Sequence, residues 1–123
     1  MIQFTANIKT KNPLNGASGN SRLAAIIRSN ERKRQRKVIA MMTQAYVKIP
    51  VFPLVVRITR VAPSAGLDVH DGLGAALKGV IDGIADGLGL SNDRDERVRW
   101  ELNQRRGRQG NYLVEVCIKP MVE

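Results

Sequence analysis

Asp68, Asp71, Asp82, Asp86, Asp93, Asp95, Glu96 and Glu101 crowd into one stretch that begins LDVHDGLGAALKGVIDGIADGLGLSNDRDERVRW. They are eight of the chain's eleven acids, although the formal net charge is +9. Hard carboxylate oxygens gathered in this way suit Mg2+, with water and phosphate completing the shell. A basic body suits a polyanion. Together they point to metal-assisted hydrolysis of a phosphodiester, in which the metal polarises the phosphate and lowers the pKa of a bound water. Mn2+ is a natural substitute, and no organic cofactor is implied.

Spacing assigns roles within the stretch. On a helix, Asp71, Ala75, Lys78 and Asp82 form one stripe, and Asp86 extends it by a turn. Leu73, Leu77, Val80, Ile81, Ile84 and Leu88 form the opposite, apolar face. Asp93 and Asp95 follow Gly89, where the chain can turn back toward the helix. Asp71, Lys78 and Asp93 are the candidate catalytic residues, with Asp68, Asp71 and Asp93 as candidate metal ligands. Lys78 would neutralise charge on phosphate oxygens or position the attacking water. Its ammonium, set among carboxylates, is expected to stay protonated. His70, Asp82, Asn92 and Asp95 are candidate supporting groups. The competing reading is an ordinary solvated face, in which Lys78 and Asp82 are an i,i+4 pair worth about 0.2–0.5 kcal/mol. Each acid taken alone fits that reading better. The coincidence of stripe, flanking acids and basic body favours the site.

Two basic clusters are candidate DNA contacts: Arg22, Arg28, Arg32, Lys33, Arg34, Arg36 and Lys37, then Arg105, Arg106 and Arg108. Such clusters neutralise phosphates and give salt-sensitive, largely sequence-blind binding. A solubilising surface or an RNA-associated role is also compatible with charge alone. Aromatic residues make up only 4% of the chain, so no single-strand stacking platform is suggested. Trp100 reads as a core anchor at strand spacing.

The elements that must position these groups follow from periodicity. Ile2–Lys9 alternates as a strand, and NPLNGASGN (12–20) is a loop. A helix is expected from an N-cap at Ser21 to about Tyr46, with apolar positions at both ends. Its polar middle implies that it projects or breaks near Ser29–Asn30. Val51–Val61 is a second strand, whose prolines, Pro50 and Pro53, confine its start to an edge or bulge. Pro63–Gly66 forms a turn. A second helix spans about Leu73 to Leu88, capped by Gly89, with Gly79 and Gly83 marking close approach to a neighbouring element or subunit. Strands through Val98–Leu102 and Tyr112–Lys119 are joined across QRRGRQGN and are expected to pair antiparallel.

The 123 residues therefore predict a single α+β domain with a mixed sheet of about four strands and two main helices. The single cysteine, Cys117, excludes an internal disulfide and is expected to pack as a small hydrophobe. No signal-peptide pattern or membrane-length apolar run is evident, so a cytoplasmic protein is expected.

The acidic stretch and its tail ELNQRRG resemble the RusA family of Holliday-junction resolvases, particularly its short phage and prophage members. The likeness covers about a third of the chain well. The family pattern pairs nearby aspartates before a helix carrying a lysine and an aspartate, then an Asp-Asp pair and a strand. By that likeness Asp71, with Asp68 as the earlier member of its pair, resembles a metal-binding aspartate. Lys78 resembles the family lysine, Asp82 the helix aspartate and Asp93 the later metal-binding aspartate. The resemblance implies an α+β homodimer that nicks four-way DNA junctions symmetrically using Mg2+. Two-fold symmetry suits such a substrate. Gly72 stands where the pattern has Asn, and Asn92 where it has the first Asp of the pair. Asp68 and Asp71 are also one residue further apart than the common Asp-x-Asp. These departures leave a junction-binding protein of weak or absent catalysis as the alternative. A basic RNA-binding or assembly protein of unrelated fold is the third.

Overall fold

The computed structural model describes residues 1–10, 22–63, 72–108 and 111–121. The elements are β1 (Ile2–Ala6), α1 (Arg22–Tyr46), β2 (Leu54–Ala62), α2 (Gly72–Ala76), α3 (Lys78–Gly87), β3 (Val98–Arg106) and β4 (Leu113–Pro120). Their single sheet has the order β1-β4-β2-β3. β4 runs antiparallel to β1 and β2, while β2 and β3 are parallel. The expected α+β class with a mixed four-stranded sheet is therefore present.

Period-two alternation decides which side chains enter the core. Phe4, Leu54, Val56, Ile58, Val98, Val114, Val116 and Ile118 lie on one face of the sheet and pack with Leu77, Val80, Ile81 and Ile84. Gln3, Thr5, Arg57, Thr59, Glu115 and Lys119 line a groove of about 390 Å³ on the opposite, polar face. Cys117 lines it too and is half-buried there, so it does not belong to the core that its apolar neighbours suggested.

Three expectations about strands and helices are corrected. β3 and β4 are consecutive in sequence but do not pair, because β2 lies between them. β2 is buried on both faces at Val55, Val56 and Val61, which suits the centre, while the charged VRWELNQRR of β3 suits an edge. The connection crosses the end of β2, where the Gly107 N–H donates to the Ala62 carbonyl at 2.8 Å. A Cβ at Gly107 would fall 2.6 Å from Val61 Cγ1, so the buried Val61 side chain would have to shift to admit any other residue there. Second, the prolines do not force β2 to an edge, since both precede its first residue, Leu54. Third, of the two alternatives for α1, projection or a break, the helix takes the first, running unbroken through Ser29–Asn30 with its polar middle mostly exposed, but its apolar N-terminal end does not pack as expected. The helix buries Ala24, Gln35, Ile39 and Thr43, whereas Leu23, Ile26 and Ile27 are exposed.

The predicted second helix is interrupted at Leu77, yet hydrogen bonds from Leu77 N–H to Leu73 O (3.0 Å) and from Ile81 N–H to Leu77 O (2.9 Å) carry the helical path through. It ends as expected. Gly89 takes φ 79°, and the Gly89 and Leu90 N–H groups return to Asp86 O and Ala85 O.

The glycines of α3 mark a seam within the chain. Cβ atoms built on Gly79, Gly83 and Gly87 would lie 2.9 Å from Gln35 Oε1, 2.6 Å from Arg36 O and 2.5 Å from Thr43 Cβ. The matched order of contacts means that α1 and α3 run parallel, backbone against backbone. Among the described residues, no helix is long and apolar enough to cross a membrane.

Candidate functional site

Lys78 opens α3 and Asp82 lies one turn along the same face. After the Gly89 cap the chain doubles back, bringing Asp93 to the same ammonium. Lys78 Nζ lies 3.2 Å from Asp82 Oδ1 and 3.1 Å from Asp93 Oδ2. The three side chains are partly exposed, with Asp82 the most enclosed at 18%. Helix and loop thus converge on Lys78. Burial draws the Lys78 pKa down, but hydrogen bonds to Asp93 and Asp82 outweigh it and leave the value above that of an ordinary lysine. Lys78 is consequently a cation at neutral pH and has no lone pair with which to act as a base.

The loop that carries Asp93 is braced from three sides. Trp100 Nε1 donates to the Asp93 carbonyl at 2.9 Å, tying the loop to β3. Trp100 is half-buried against the core, as its strand spacing predicted, and the indole bond is an added role that spacing could not reveal. Asn92 Oδ1 accepts the Arg94 N–H at 2.8 Å. Asp95 accepts both the Arg97 N–H and its guanidinium, and Arg97 holds the Asp95 carboxyl down at about 2. Asn92 and Asp95 therefore shape the turn, and only Asp93 of the NDRDE run aims at Lys78.

Asp86 also leaves the predicted stripe. It forms two hydrogen bonds with Arg36 of α1, at 2.6 and 2.8 Å, across the helix seam. Asp68, His70 and Asp71 lie outside the described residues. Asp71 directly precedes buried Gly72, the first residue of α2. Among the described residues, no group of three or more His, Cys, Asp or Glu is arranged to hold a metal ion. Asp82 and Asp93 offer oxygens of the right chemistry for Mg2+, but only as a pair, and Lys78 bridges them.

No protein-family model and no curated protein matches the chain.

The basic residues divide by partner. Arg34 is paired with Glu31, Arg36 with Asp86 and Arg105 with Glu115, while Arg106 donates to the Pro63 carbonyl. Arg22, Arg28, Arg32, Lys33, Lys37 and Arg108 form no ion pair among the described residues. All of these except half-buried Arg28 are exposed. Five of the six lie on α1, alongside the helix that carries Lys78 and Asp82. The contact of Gly79 with Arg32 O and Gln35 sets Lys78 level with the middle of that basic run.

Proposed function

We propose that this chain is an Mg2+-dependent, structure-selective endonuclease that resolves four-way DNA junctions by paired phosphodiester hydrolysis, acting as a homodimer. The observation that carries the reading is the meeting of Asp93 and Asp82 on Lys78 beside a run of unpaired basic side chains. In this reading Asp93, with Asp71 and Asp68, would hold Mg2+. The metal would supply polarisation of the scissile phosphate and a water of lowered pKa. Lys78, kept protonated by its two carboxylates, would set a positive charge against the phosphate oxygens. Asp82 would hold the lysine in place, and Trp100 would fix the backbone of Asp93. Arg22, Arg32, Lys33 and Lys37 would take the flanking phosphates. A cytoplasmic site of action follows from a DNA substrate, and such short members of the resembled family belong to phages and prophages.

A labelled synthetic four-way junction tests the reading. Symmetric nicks should require Mg2+, cease in EDTA and fall about a hundredfold or more in D93N and D71N. Cleavage that survives both substitutions would remove the aspartates from the chemistry. The second reading, a protein that binds junctions without cutting them, is favoured by Asn92. Its amide oxygen serves the turn, and it brings no charge to the site. Tight junction binding with no nicks in Mg2+ or Mn2+ would select it.

A further inference from the structure

The first two turns of α1 present an apolar cluster that no described element covers. Leu23, Ile26 and Ile27 are 66%, 49% and 58% exposed. The helical repeat sets them opposite Ala24, Gln35 and Ile39, the residues that α1 buries. Asn30, Lys33 and Lys37 continue the same outward stripe, so it begins apolar and becomes basic. Arg22 flanks it, whereas the same repeat turns Arg28 and Arg32 toward the α3 side of the helix, and none of these cations has an ion-pair partner among the described residues. Three large aliphatic side chains grouped on a surface mark a contact site more often than a solvated face.

The charge pattern chooses the occupant. A second copy laid parallel on this stripe would set Lys33 and Lys37 against their own equivalents, and an antiparallel copy centred on the cluster would bury only three large aliphatic side chains from each chain, far less than a stable dimer needs. A lipid surface calls for an apolar stripe along the whole helix, whereas here it spans two turns and gives way to cations. A nucleic acid with bases out of the stack offers both chemistries at once. It has exposed apolar base faces for Leu23, Ile26 and Ile27, and adjoining phosphates for Arg22, Lys33 and Lys37.

We infer that the Leu23–Ile26–Ile27 cluster is a contact for unstacked bases at an opened or branched point in DNA, giving α1 a preference for branches that its cations alone cannot supply. The inference rests on the DNA-binding reading above and adds the element that recognises the branch. It concerns binding alone and does not depend on metal or cleavage.

The test measures binding of the full chain, in EDTA, to a four-way junction carrying 2-aminopurine at the branch and to a matched plain duplex. The triple variant Leu23→Gln, Ile26→Gln, Ile27→Gln keeps good helix formers at exposed positions, so the fold should persist, with circular dichroism as the check. Junction affinity should fall about tenfold while duplex affinity stays within about twofold, and the 2-aminopurine fluorescence rise on binding should disappear. Equal losses on both DNAs, or unchanged junction affinity and fluorescence, would overturn the base-contact role while leaving DNA binding intact. Failure of the wild-type chain to bind either DNA would instead overturn the DNA reading and this inference with it. Sedimentation velocity and co-sedimentation with phosphatidylserine vesicles supply the remaining arms. A change of oligomeric state or a loss of vesicle binding in the triple variant, with junction binding retained, would assign the cluster to a protein or membrane partner and overturn the inference.

Discussion

Asp82 and Asp86 sit one turn apart on α3 and meet their cations in opposite proportions. Asp86 has Arg36 to itself, through two short bonds, and the pair closes the outer side of the α1–α3 seam. Asp82 shares Lys78 with Asp93, two carboxylates to one ammonium. The first arrangement is electrically complete. The second keeps one negative charge in excess beside a helix rich in unpaired cations. Identical residue types at helical spacing thus become a clamp in one place and a candidate site in the other. Stoichiometry and the returning loop make the difference.

The seam should be the most sensitive region, because backbone atoms cannot yield as side-chain ends can. At Gly83 a new Cβ would meet Arg36 O at 2.6 Å and Ile39 Cβ at 2.8 Å. Gly83→Val should therefore cost about 3 kcal/mol or more, outweighing any gain from helix propensity. In a domain of this size that lowers Tm by roughly 10 °C. Gly74→Ala in α2 is the control, since a Cβ there meets nothing within 4 Å. It should raise stability by about 0.5–1 kcal/mol. Equal Tm values for the two variants would show that the seam is loose and the comparison misplaced.

Next in size is removal of the shared cation. Lys78→Met would leave Asp82 and Asp93 facing each other and should cost about 1–2 kcal/mol at neutral pH. The cost should shrink as salt is added, which screens the repulsion of these partly exposed carboxylates. Urea titrations at several salt concentrations would read this directly. A deficit independent of salt would mean that lost packing, not unbalanced charge, is responsible. Asp86→Asn breaks a one-to-one pair that is substantially exposed and should cost less than about 1 kcal/mol, falling further in salt. A larger penalty there than at Lys78 would reverse the contrast between seam and site.

The sequence carried the parts of this comparison that depend on period. The alternation of Leu54, Val56 and Ile58, the apolar face of α3 and the cap at Gly89 all hold in the structure. The relation of Lys78 to Asp82 was legible because a helix turn suffices to produce it, whereas the bond from Lys78 to Asp93 depends on how far the chain reverses after Gly89, which spacing does not fix. Strand neighbours were not legible. Val114, Val116 and Ile118 alternate equally well beside β3 or beside β2, and a short glycine-containing connection resembles a hairpin even when it steps across another strand. Nor could periodicity tell which apolar residues of α1 face inward. Gly79, Gly83 and Gly87 draw the backbone of α1 so close that Ala24, Gln35, Ile39 and Thr43 form the contact face, leaving Leu23 and Ile27 outside. The partner chosen by Asp86 was hidden for the same reason, since it depends on the register of two helices fifty residues apart in sequence.

The smallest effect is the pH response of the wild-type chain. Hydrogen bonds from Arg36 hold Asp86 below its usual value, those from Arg34 do the same for Glu31, and Arg97 holds Asp95 at about 2. A carboxylate depressed by folding contributes stability above its ordinary value and loses that contribution as pH falls through the folded one. Lys78 is displaced upward, so its contribution is present below the ordinary 10.5 and is lost as pH rises beyond it. Stability from these groups should consequently be flat between about pH 5 and pH 10 and should decline only on either side. A slope between about pH 6 and pH 8 would mean that these groups do not govern the pH response. Carboxyl-detected NMR titration sharpens the contrast within the acidic stretch itself. Asp95, shared with no other acid, should titrate near 2, well below its ordinary 3.8. An Asp95 carboxyl titrating at that ordinary value would mean that Arg97 is not bound to it, and that the turn presenting Asp93 to Lys78 is held by Asn92 and Trp100 alone.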